Sequence, residues 1–106
     1  MDQRDARRMA RRRYERLLSD FSAIMFRHDP VGINFDVNTD EYDQEAERIL
    51  LRLRELTTEV ELLVVVCNVF RELFGAISGT PEQYEAMTHE LWQRWQQERT
   101  ITDSGD

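Results

Sequence analysis

No lysine occurs in this chain: all fourteen basic residues are arginine, which points to the base composition of a GC-rich bacterial genome rather than to a chemical need. Cysteine is nearly absent too. Cys67 alone cannot form an internal disulfide, so the cytoplasm is the expected setting. The longest apolar run, residues 62–67, is six residues and stops at Asn68, against the roughly 20 needed to cross a bilayer. The N-terminal arginines lead into no apolar h-region and no cleavage-like site, so a secretory leader is not expected. The histidines are His28 and His89 only, and His89-Glu90 lacks the second histidine that a zinc-protease helix carries four residues on. A glycine-rich phosphate loop and a hydrolase triad are also missing. These absences argue against an enzyme and against a cofactor.

What is present suits one small domain. The chain has 106 residues, 41% of them hydrophobic and 9% aromatic, which is enough for a self-standing core. Charge is unevenly placed. Residues 1–16 carry seven arginines against Asp2, Asp5 and Glu15, a net +4. Residues 17–106 carry seven arginines against eighteen acids, a net −11, and the two together give the chain's −7. An acidic body argues against nucleic acid as the main ligand, because duplex binding rests on neutralising phosphates. The basic segment reads as a solvated helix end, since its arginines go round the helix without interleaved aromatics before Tyr14.

Apolar spacing predicts four helices. The first runs over residues 2–28, with Ala6, Ala10, Tyr14, Leu17, Phe21, Ile24 and His28 in a heptad seam, and residues 1–13 projecting from the body. It ends at His28 because Asp29 precedes Pro30. The second starts within residues 40–43 and ends near Leu56, with Ala46, Ile49, Leu50, Leu53 and Leu56 inward. The third opens on Thr58 and Glu61, a capping box, and stops at Gly75. It is apolar on most sides and is expected to be the most buried helix. The fourth opens on Thr80, Pro81 and Gln83, turns Tyr84, Met87, Leu91, Trp92 and Trp95 inward, and fades after Gln97 into a frayed tail over 100–106. Short links favour antiparallel neighbours, so the expected fold is all-α: a compact antiparallel four-helix bundle with a long ordered loop between the first and second helices.

That loop, residues 28–43, is the one long irregular stretch. Val31, Ile33, Phe35 and Val37 alternate with Gly32, Asn34, Asp36 and Asn38, the pattern of an extended run with one side packed down. Asp36, Asn38 and Asp40 occupy positions 1, 3 and 5 of a window ending at Glu47, as in a calcium-binding EF-hand loop. Glu41 stands where that loop needs glycine, however, and Asp43 where it needs an apolar residue. Helix capping is the reading preferred for these acids. A His28/Asp29 pair could in principle do acid–base work, but a histidine ending a helix more commonly complements the helix dipole. Cys67, mid-helix among valines, reads as an inert buried thiol. Trp92 and Trp95 read first as core, with Trp92 the one that reaches the rim.

The stretch DPVGIN followed by DEYDQE resembles the D-P-x-G-I … D-E-Y-D signature of small bacterial YugE-like proteins, and FRELFG and LWQRW resemble their F-x-x-x-F-G and W-x-x-W elements. The likeness covers residues 17–95. His28 stands where that family often has tryptophan, and Gln44 where it often has proline. The resemblance implies a compact helical fold without an established activity. It also implies that Ile33 and Tyr42 pin the loop and that Asp43 is the N-cap of the second helix. Together these readings point to a non-enzymatic protein-interaction module, of immunity or antitoxin type in its narrowest form. Its contact residues would be Asn34, Asp36, Asn38, Glu41 and Trp92, while Asp29, Pro30, Gly32, Ile33, Phe35, Tyr42 and Asp43 shape the loop. The alternatives are a domain binding a metal or small ligand through Asp29, Asp36, Asp40 and Glu41, and a structural homodimer joined through the first helix.

Overall fold

A computed structural model describes residues 3–28, 42–75 and 80–104, with the backbone alone over 100–104. Every described element is helical: α1 (Gln3–His28), α2 (Asp43–Leu50), a 3₁₀ turn (Leu53–Glu55), α3 (Glu59–Phe74) and α4 (Pro81–Ser104). α1 packs against α2 and α4, and α3 packs against the same two, closing a ring of four. Side-chain pairs give the directions. Along α1 and α4, Asp20 meets Arg94 while His28 meets Glu90, so one number rises as the other falls. Glu59 meets His89 while Phe70 meets Tyr84, which sets α3 against α4 in the same way. The chain is an antiparallel four-helix bundle.

The core follows the apolar spacing. Leu17, Phe21 and Met25 of α1 meet Ala46, Ile49 and Leu50 of α2, Leu62, Val65, Val66, Val69 and Phe70 of α3, and Tyr84, Met87, Leu91 and Trp92 of α4. Of the heptad seam, Ile24 is only half-buried, and Met25, one position on, is the fully buried residue. Phe70 sits at the centre of an aromatic group, with ring centroids 6.0 Å from Tyr42, 5.7 Å from Phe74 and 5.1 Å from Tyr84.

Helix ends follow local chemistry in two cases and depart from expectation in two, and the burial of α3 departs from it as well. Thr58 and Glu61 form the capping box, each satisfying a backbone amide of the other. Gly75 ends α3 at a φ of 59°, where a side chain would be strained, and its N–H bonds the Arg71 carbonyl. α2, in contrast, ends at Leu50 rather than near Leu56. Beyond it the amides of Arg52, Glu55 and Leu56 bond carbonyls three residues back. That tighter pitch stacks residues spaced by three, so Leu50, Leu53 and Leu56 all reach the core. α4 continues helical to Ser104, past Gln97 where its apolar pattern fades. α3 is not wrapped by its neighbours: Val60 and Val64 are 71% and 55% exposed, because a ring of four leaves each helix an outer face.

Candidate functional site

Most residues that sequence reasoning singled out lie in 29–41, outside the described residues: Asp29, Pro30, Gly32, Ile33, Asn34, Phe35, Asp36, Asn38, Asp40 and Glu41. Three are described. Tyr42 is fully buried against Phe70, as an anchor of the loop's end should be. Asp43 is not the N-cap of α2. Tyr42 holds the cap position, and Asp43 is the first helical residue, its Oδ1 accepting a hydrogen bond of 2.5 Å from Ser22 Oγ on α1. Its charge still favours the helix start, but its side chain ties two helices together. Trp92 is no rim residue: it is 7% exposed, because it follows the buried Thr88 by one helical turn and shares its inward side. Trp95 is the tryptophan at the edge, where the bundle opens.

Ionisable side chains in the body serve as ties between helices. Arg94, 16% exposed, donates from Nε to Asp20 Oδ2 at 2.7 Å and from a terminal nitrogen to Glu98 Oε2 at 3.3 Å. Arg27 and His28, at the end of α1, both bond Glu90, with His28 Nε2 to Glu90 Oε1 at 2.8 Å. His89 Nδ1 reaches Glu59 Oε1 at 2.9 Å. Both histidines are thus engaged by glutamates of other helices. Cys67 is half-buried, and burial pushes its thiol above the ordinary value, away from the nucleophilic thiolate. Among the described residues no three of His, Cys, Asp and Glu converge on one point.

Two features occupy the other end of the bundle. The first is the start of α1. Residues 3–12 are exposed on all sides. Arg4, Arg7, Arg8 and Arg11 share one face there, as their spacing dictates, while Arg13 lies on another side. The second is a groove of about 480 Å³, lined by Ala10, Arg13, Tyr14 and Leu17 of α1, Leu50 and Arg54 around the end of α2, and Trp95, Glu98 and Arg99 of α4. Burial and, secondarily, the charge of Glu47 raise the Tyr14 phenol above its ordinary value. The groove joins residues more than 80 positions apart, so no local motif announces it. The only trace in the sequence is that the apolar spacing of the first and fourth helices runs on past the end of the second. Compared with known proteins, the chain matches no family model, no curated protein and no solved structure.

Proposed function

We propose that the chain is a non-enzymatic protein-interaction module that meets its partner through the start of α1. The observation behind this reading is an apolar stripe without a packing partner among the described residues. Ala6 and Ala10 continue the line that Leu17 and Phe21 bury lower in the bundle, yet both are exposed, as is Met9 beside them. Alanine in such a stripe lets a second helix approach closely, and the arginines on the opposite face can meet acids around the contact. The arginines there face acids of the partner while the acidic body, net −11 over residues 17–106, faces its basic parts, and the immunity or antitoxin reading is this proposal in its narrowest form. The likeness to YugE-like proteins belongs with it and adds no activity.

A second reading, a homodimer joined through α1, draws on the same stripe: a second copy brings an identical stripe, and its acidic body can face the basic segment. Light scattering over a concentration series separates the two, since a strict monomer removes the dimer. For the partner reading, the tagged chain is used to capture proteins from its native host. An Ala6→Glu/Ala10→Glu chain, which keeps good helix formers at exposed positions, is expected to lose a stoichiometric basic partner without a change in melting temperature. A partner held equally well by this variant would show that α1 is not the contact.

A further inference from the structure

We propose that the groove between α1, α4 and the end of α2 binds a small amphipathic carboxylate, its apolar body against Leu17, Leu50 and Trp95 and its head group between Arg13, Arg54 and Arg99. The volume, about 480 Å³, is that of a small-ligand pocket. The floor is the open end of the core: Leu17 and Leu50 are buried, and Trp95 packs partly against the core cluster. The indole N–H of Trp95 is shut off from solvent and has no acceptor among the described residues.

The arginines identify the ligand's charge. The chain carries 21 acids for 14 arginines, so carboxylates are in excess. Arg27, Arg48 and Arg52 each hold one and Arg94 holds two. Arg13, Arg54 and Arg99 come from three separate parts of the chain, line one groove, and have no ion pair or hydrogen bond among the described residues. Glu98, the acid on the same lining, is engaged by Arg94. A guanidinium offers two parallel donors to a carboxylate, and the fork is preorganised. Glu98 beside the arginines favours a head group with a single charge over a phosphate, which would carry close to two. The α1 wall, from Ala10 to Leu17, is about 10 Å long at 1.5 Å per residue, the length of a bicyclic aromatic or medium-chain acid and shorter than a docked helix.

Titration of the purified chain with 1-naphthaleneacetate, followed by calorimetry and tryptophan emission, tests this without any protein partner. Its outcome is therefore independent of the reading given to the start of α1. Saturable binding of one molecule per chain is expected, with 1-naphthylmethylamine and acetate failing to bind. An Arg54→Gln/Arg99→Gln chain is expected to bind at least about tenfold more weakly, because two charged hydrogen-bond donors are lost. Its melting temperature should not change, since both side chains are exposed. No saturable heat up to millimolar naphthaleneacetate would overturn the proposal. Equal binding of the naphthyl amine, or undiminished affinity in the double variant, would do the same. Tighter binding of 1-naphthyl phosphate would overturn the carboxylate assignment.

Discussion

The two ends of the bundle are made of different material. At one end, where α3 finishes, Tyr42, Phe70 and Tyr84 are fully buried, with Phe70 packed against both other rings, and farther along α4 Arg27 and His28 both bond Glu90. At the other, where α1 begins, α1 stands exposed, three arginines without an ion pair among the described residues line a groove, and Trp95 is only half-covered. The first end spends its aromatic area and its charges on itself. The second leaves apolar surface exposed and Arg13, Arg54 and Arg99 without an ion pair among the described residues. On the two proposals above, stability and binding belong to different regions of the bundle, and substitutions in the two should separate them.

The sharpest contrast is aromatic. Phe70→Ala removes a fully buried ring touched by three others and is expected to cost about 3–5 kcal/mol, enough to unfold a large share of a chain this size. Tyr14→Ala, at the edge of the groove and 39% exposed, is expected to cost less than about 1 kcal/mol. Urea denaturation of both variants checks the pair, and comparable losses would erase the distinction between the ends.

Between the ends lies the tie formed by Arg94, Asp20 and Glu98. Arg94→Met keeps the apolar stem but leaves Glu98, only 13% exposed, without its guanidinium. The expected loss is about 2 kcal/mol, below the 3–5 typical of a fully buried pair because Asp20 is half open to water. Because the substitution also releases Glu98 from Arg94 on the groove lining, carboxylate affinity in the groove is expected to fall together with stability, and an unchanged affinity would show that the tie does not shape the groove.

What sequence reasoning could read depended on how local the cause is. Thr58 with Glu61 and Gly75 act within four residues, so their roles were legible from spacing alone; of the box expected at Thr80 and Gln83 the structure shows one half, Gln83 Oε1 accepting from the Thr80 N–H at 3.0 Å. The inward leucines of α2 were legible as well, but not the change of pitch after Leu50, because spacings of three fit an α-helix and a 3₁₀ turn alike. Trp92 and Trp95 exchanged places for a different reason. Three residues apart on a helix, both belong to the inner face, and only the length of the neighbouring helices decides which one the bundle covers. The groove was illegible because its lining comes from three elements distant in sequence, brought together by the ring closure. The loop residues on which the sequence reading placed most function lie outside the described residues.

The smallest expected effect concerns the capping box at the start of α3, which is part of the stable body. Glu61 Oε1 accepts from the backbone N–H groups of Thr57 and Thr58, each at 3.0 Å, and from the Thr57 hydroxyl at 2.7 Å. These bonds favour the charged form, the Thr57 hydroxyl most, and hold its carboxyl below the usual range. A lowered pKa means that the unfolded chain takes up the proton first as pH falls. The stabilisation is therefore complete above the ordinary glutamate value of about 4.3 and fades as pH drops through the lower folded value. Glu61→Gln keeps an acceptor oxygen but loses the charge, so its melting temperature should lie slightly below that of the unchanged chain at neutral pH. The two should converge in acid, well below that ordinary value, as the glutamate too becomes neutral. Thermal melts of both chains across that range measure the gap; a gap that stays constant with pH would show that the charge contributes nothing to this helix start. Naphthaleneacetate affinity should be the same for both, because Glu61 does not line the groove.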